Sequence, residues 1–205
     1  MKFVLFGATG GVGKALLEQA LEHGDTVTVL VRDPAKLGLS HPNLIVEQGD
    51  AFSAEDVANV VAGQDAVVSC LNTSKGILES DELERMGANI SQAMQKHGVK
   101  RIVYCASAGV DNEMPGEYGK RAMEMLRNPL TDHRNAINQL KEAKLDITVA
   151  RPLGLIDGAL TGKYEEAREG IPSSGYTINR ADVAHFMHKA LHDDSYIGAS
   201  VAVAN

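Results

Sequence analysis

The sequence predicts an α/β fold: a doubly wound parallel sheet of the Rossmann type, with a small substrate-side region toward the C-terminus. Three observations carry this reading. Short apolar runs alternate with helical patterns along the whole chain. Most of those runs are apolar on both faces, as strands sandwiched between helices must be. A glycine-rich loop, GATGGVG, joins the first run to the first helical pattern. With 205 residues the chain is expected to form one domain over 1–205.

KFVLF reads as a buried strand. VGKALLEQALEHG follows as a helix with Val12, Ala15, Leu16, Ala20 and Leu21 on one face and Gly24 as its left-handed cap. TVTVLV and LIVEQ are the second and third strands. SAEDVANVV is a short helix with Ser53 as N-cap. DAVVSCL is a fourth strand, and ELERMGANISQAMQKHG a long amphipathic helix closed by Gly98. RIVYCAS is a fifth strand, helical patterns lie near 118–127 and 131–144, and DITVARP is a sixth strand. YTI reads as a short seventh strand before the helix RADVAHFMHKALHD, and ASVAVA is the last. Right-handed crossovers between such strands give the doubly wound order. The segment 108–130, with Gly109, Pro115, Gly116 and Pro129, is the least regular and is a candidate active-site flap.

Bulk properties narrow the function. A net charge of -7 argues against nucleic acid as partner, because that role needs a basic face. No apolar stretch approaches the ~20 residues that span a bilayer, and the apolar start is broken after Phe6, so no membrane association and a cytoplasmic location are expected. The expected partner is a small-molecule acceptor, and the expected state a monomer or homodimer. Cys70 and Cys105 form no metal-binding pair and are expected as reduced core thiols. His185 and His188 stand three apart with no third ligand near them in sequence, so no metal site is expected.

The glycine loop has two readings. A nucleotide-triphosphatase loop ending at Gly13-Lys14 would need glycine where Ala8 stands, and a magnesium-binding hydroxyl where Ala15 stands. Both positions fail. Gly7, Gly10 and Gly13 instead fit a dinucleotide loop: a tight turn at Gly7, close backbone approach to a pyrophosphate at Gly10, and close helix–sheet packing at Gly13. The N–H groups of Gly11 and Val12 then face the phosphates, with Thr9 adding a hydroxyl. At the end of the second strand, VLVRDPAKL places Arg32 and then Lys36 where a 2′-phosphate would sit, which favours NADP. Asp33 is the alternative, a carboxylate suited to the free ribose of NAD.

GATGGVG, TVTVLVRDP, GDAFSAEDV, VAGQDAVVSCLNT, the GANI helix and VARP together resemble the atypical short-chain dehydrogenase/reductases with an NmrA-like NAD(P)-binding fold. LTDH, ALTGKY and DVAHFM extend the resemblance over almost the whole chain, toward the biliverdin-IXβ and flavin reductases of that group. The resemblance implies that Asp50 and Ala51 lie beside adenine and that Leu71, Asn72 and Thr73 line the cofactor path. It also implies Ser107 near the nicotinamide, with Arg151, Pro152 and Leu153 packing by its amide.

The sequence departs from the family in two ways. The Tyr-x-x-x-Lys pair of short-chain dehydrogenases is missing, since Tyr104, Tyr118 and Tyr164 are followed at that spacing by Ala108, Ala122 and Arg168. His133 stands where the lysine often does and is a candidate proton relay that titrates near neutrality. A histidine that the biliverdin reductase carries after the proline is replaced by Leu153-Gly154. Asp132 is expected to support the start of its own helix, and Met123, Met125 and Leu126 to line core or pocket. The function expected is hydride transfer from NAD(P)H to a planar conjugated acceptor, a flavin or quinone, with Ser107 and His133 as catalytic candidates. The alternative is a non-catalytic redox sensor that binds a protein.

Overall fold

A computed structural model describes residues 1–205. Its elements run β1 (Lys2–Phe6), α1 (Gly11–His23), β2 (Thr26–Val31), β3 (Leu44–Gln48), α2 (Ala54–Val61), β4 (Ala66–Ser69), α3 (Glu82–His97) and β5 (Arg101–Cys105). They continue through α4 (Gly116–Met125), α5 (Arg127–Glu142), β6 (Asp146–Pro152), β7 (Gly154–Ile156), β8 (Glu165–Ala167), β9 (Thr177–Asn179), α6 (Arg180–Leu191) and β10 (Ser200–Ala204). The main sheet has the order β3-β2-β1-β4-β5-β6-β10-β8 and is parallel except for β8, which runs antiparallel to β10.

Period-two alternation in β1 shows how the two layers form. Phe3 and Leu5 face a core shared with Leu16, Leu17 and Ala20 of α1 and with Phe186 and Met187 of α6. Val4 and Phe6 face the opposite core, with Val57 of α2, Ile90 and Met94 of α3, and Ile137 and Leu140 of α5. A strand buried on both sides has no polar face to show, which is why these runs read as uniformly apolar. Gly24 and Gly98 end α1 and α3 in the left-handed conformation, and Ser53 caps α2 by accepting from the Asp56 N–H.

The chain leaves β1 toward β2 on one side and returns to β4 on the other, so a crevice opens at the carboxyl ends of β1 and β4. Three features differ from expectation. Strands β7 and β8 were not anticipated: each has three residues, too few for a periodic signal. The strand expected at YTI is shifted by one residue to β9 (Thr177–Asn179), and it pairs with β7 in a separate two-stranded sheet. The helix expected near 118–127 is present as α4, but α5 begins at Arg127 rather than near 131, and Pro129 sits in its first turn, where its missing N–H costs no hydrogen bond. No helix is long and apolar enough to cross a membrane.

Candidate functional site

The phosphate loop is shaped by what a side chain would hit. Gly7 has φ +83°, and a Cβ there would lie 2.4 Å from the Cys70 carbonyl oxygen. A Cβ on Gly13 would lie 2.2 Å from the Gly7 carbonyl oxygen, so the first turn of α1 can press on the loop only as glycine. Gly10 differs, because a Cβ there meets nothing closer than 3.4 Å. The protein itself does not demand glycine at 10, whereas a ligand approaching the backbone would. Gly10 caps α1 without a side-chain hydrogen bond, which leaves the helix's first N–H groups for an anion.

A cavity of about 140 Å³ adjoins this loop, lined by Gly7, Thr9, Arg32, Asp50, Ala51 and Leu71, among others. Arg32 is exposed at its rim, and its guanidinium has no ion-pair or hydrogen-bond partner. Asp33, the rival for an adenosine ribose, is otherwise engaged: its Oδ1 accepts from the Ala35 N–H at 3.1 Å and caps a short 3₁₀ turn. Asp50 lines the cavity, and its Oδ1 accepts from the Phe52 N–H, which leaves Oδ2 without a side-chain or backbone partner. Asn89 Nδ2 donates to the Ala51 carbonyl and anchors that turn on α3. Phe52 adds an aromatic wall, with the Arg85 guanidinium 5.0 Å from its ring.

A second cavity of about 340 Å³ lies at the carboxyl ends of β5 and β6. Asn72 lines both cavities, which are therefore neighbours across its side chain. The wall is mainly apolar, from Ala106, Met114, Met125, Leu126, Pro152 and Leu153, with Asn72, Ser107 and His133 as its polar side chains away from the mouth. The rim carries Tyr118 and Tyr176 edge to face, 5.0 Å between centroids, 63% and 50% exposed. Met125 lines this cavity, and Met123 packs against the core beside Leu126.

His133 is not the surface residue that helical position would suggest. It is 5% exposed, and its Nδ1 lies 3.0 Å from the Tyr104 hydroxyl. Burial pushes its pKa down to about 4, only partly opposed by the charge of Asp132. The expectation that it titrates near neutrality is therefore corrected: at pH 7 the ring is neutral. Burial pushes the Tyr104 hydroxyl up, so it stays protonated and can donate to Nδ1. The other ring nitrogen then carries the proton. Asp132 also serves differently from expectation, accepting from the Leu83 and Glu84 N–H groups at the start of α3 rather than of its own helix.

Other placements need correction. Thr73 does not line either cavity, because its hydroxyl donates within the loop, toward Ser80 and Glu82. Ser74 and Glu82 line the cavity beside the glycine loop instead, which the sequence offered no signal for. Hydrogen bonds from Ser74 hold the Glu82 carboxyl below its usual range. Lys36 is exposed on the 3₁₀ turn and outside the cavity lining. Val12 is buried in the core, so only its backbone faces the loop side. Arg151 is 1% exposed and turned away from the cavity. It pairs with Asp111 and Glu113 and donates to carbonyls at Ala167, Arg168, Gly170 and Ser200. Sequence reading also missed Arg180, whose side chain lies over Gly11 while its guanidinium donates to Asp157 at 2.8 Å. Cys70 and Cys105 are free, and the neighbouring Cys105 together with burial pushes the Cys70 thiol well up.

Comparison with known proteins identifies the family and the fold. Residues 7–194 match the NAD(P)H-binding family. The chain is 27% identical to the photosystem II assembly factor Ycf39 of Synechocystis over 95% of its own length, but spans only 60% of that protein. Among solved structures, a short-chain dehydrogenase/reductase from Veillonella parvula in complex with NADP superposes with a TM-score of 0.84 at 20% identity, covering 100% of this chain and 94% of the other. An anaerobilin reductase from Escherichia coli O157:H7 gives 0.79 at 24% identity, covering 99% and 96%. At these identities the structural likeness speaks for the fold. The chain belongs to the NAD(P)H-binding family, and it shares the Rossmann fold of the structures it superposes on.

Proposed function

We propose that this member of the NAD(P)H-binding family is a reductase that prefers NADPH and passes hydride to a planar, conjugated acceptor such as a flavin or quinone. The observation that carries the reading is that the glycine-loop cavity and a mainly apolar one lie side by side, with Asn72 lining both. The residues fit a dinucleotide. Gly10 leaves room that only a ligand would use, and the α1 N-terminus offers free N–H groups to a pyrophosphate. Arg32 supplies an unpaired guanidinium for a 2′-phosphate. When bound, the nicotinamide supplies the hydride.

The chain's own residues position the partners and exclude water. Ala106, Met114, Leu126, Pro152 and Leu153 form a dry wall against which flat rings can lie, and the Tyr118–Tyr176 pair extends it to the mouth. Ser107 Oγ at the end of β5 and the Asn72 amide orient polar edges. Neutral His133, held by Tyr104, offers a fixed hydrogen-bond donor rather than an acid. Reduction of a conjugated acceptor tolerates this, since its proton can come from water once the rings are stacked in register. That accounts for a site without the Tyr-x-x-x-Lys pair.

The test is NADPH oxidation by the purified chain with FMN or a quinone as acceptor, repeated with NADH and with Arg32→Ala. Acceptor-dependent turnover is expected, and the variant should raise KM for NADPH roughly 10- to 100-fold, the value of a charge-assisted hydrogen bond, with little change for NADH. Absence of turnover across a broad acceptor panel would reject the reductase. A second reading, a redox sensor, draws on the missing acid–base pair and on the relative described as an assembly factor. Equal affinity for oxidised and reduced cofactor, together with capture of a protein partner, would favour it.

A further inference from the structure

Far from the cavities, at the amino-terminal edge of the sheet, three of the chain's seven histidines converge on one carboxylate. Asp25, 1% exposed, lies just before β2. Its Oδ2 is 2.6 Å from His188 Nε2, 3.2 Å from His192 Nε2 and 3.4 Å from His23 Nδ1. The four candidate ligand atoms all lie within 4.8 Å of one another. We propose that His23, Asp25, His188 and His192 form a structural binding site for one divalent transition-metal ion of the zinc class.

Local structure brings these groups together. His188 and His192 are four apart at the end of α6 and so share one face. Such a pair at this spacing is a familiar way for a helix to hold zinc. His23 and Asp25 flank Gly24, whose φ of +94° turns the chain so that both reach the same point. The sequence spacing between the two pairs hides the constellation, and His185, which looked like the partner of His188, instead bonds to Tyr164.

Hydrogen bonding alone is a poor account of the cluster. Asp25 Oδ1 is already taken by the Met1 amino group at 2.7 Å. A carboxylate oxygen offers about two lone-pair sites, which His188 and His192 occupy, so His23 Nδ1 sits 3.4 Å from Oδ2 with no hydrogen bond to hold it there. The rings crowd one another with centroids 4.7–5.2 Å apart. Zinc with N and O ligands at about 2.0–2.1 Å sets its ligand atoms about 3.3 Å apart when tetrahedral. Two of the separations from Oδ2 already have that value; the His188 contact needs to open by under an ångström, and the widest ligand-atom pair, within 4.8 Å, needs to close on the ion.

Electrostatics supports a cation here. Helices α1 and α6 both end at the cluster, and helix C-termini favour positive charge. The nearby Arg101 guanidinium donates to the Ala190 carbonyl and already uses part of that field. Helix α1 is about 20 Å long, with the phosphate loop at its other end, so the ion would stand clear of the reaction. It would clip the chain's first turn of structure to its last helix.

The test uses untagged protein, stripped with a chelator and then titrated with Zn²⁺ against a chromophoric competitor, with melting followed in parallel. One ion per chain is expected, and melting should rise by about 5–10 °C at a hundredfold excess over Kd. Co²⁺ should give the strong visible absorption of a tetrahedral site. His23→Gln and His192→Gln, both on the exposed side, should each weaken binding by more than about 100-fold, beyond what loss of an outer partner costs. Their metal-free melting and circular dichroism show whether they fold. No binding at micromolar zinc, or binding unchanged in both folded variants, overturns the proposal.

Discussion

In the cavity wall, burial makes His133 a different reagent from the one its type suggests. An imidazole that titrates near 6.5 in the unfolded chain is held neutral down to about pH 4. The linkage sign follows: protonation is tighter in the unfolded state, so stability is full above about pH 6.5 and falls as pH drops toward 4. The full effect is on the order of 3 kcal/mol. His133→Gln, which cannot titrate, should lose less melting temperature between pH 7 and pH 4 than the parent. Identical pH profiles for both proteins would mean that the ring is solvated after all. The same scale separates Arg32 from Asp33: Asp33 is consumed as a cap, whereas Arg32 has no partner in the protein, which leaves it free for the proposed 2′-phosphate contact.

The strand–loop–helix unit of β1 and α1 separates two uses of glycine. Gly13 is required by packing, since its missing Cβ would collide with the Gly7 carbonyl. Gly13→Ala should therefore cost about 1–3 kcal/mol of stability, as overpacking does. Gly10 has space within the protein, so Gly10→Ala should leave melting almost unchanged while weakening dinucleotide binding. Thermal melting and NADPH titration of both variants check this, and a Gly10→Ala protein with full affinity would contradict the proposed cradle. The glycine spacing and the flanking patterns are local, which is why this unit was legible in advance. Strands β7 and β8 were not, because three residues with exposed glutamates at 165 and 166 carry no period.

Across the whole molecule, Arg151 ties the segment after β5 to the far edge of the sheet. Its buried guanidinium reaches Asp111 and Glu113 on one side and carbonyls of 167–170 and Ser200 on the other. Arg151→Met should cost about 3–5 kcal/mol in denaturant unfolding, because Glu113, itself largely buried, loses its counter-charge. A loss under about 1 kcal/mol would show that the network is not what holds this edge. The layered sheet and the tight glycine turn from β1 into α1 could be inferred from neighbouring residues, since periodicity, caps and turns act over a few positions. The neutrality of His133, the diversion of Thr73 and Arg151, the capping of α3 by Asp132 and the gathering of His23 and Asp25 with His188 and His192 could not. Each depends on partners or burial brought by distant parts of the chain, and a linear pattern contains no record of distance in space.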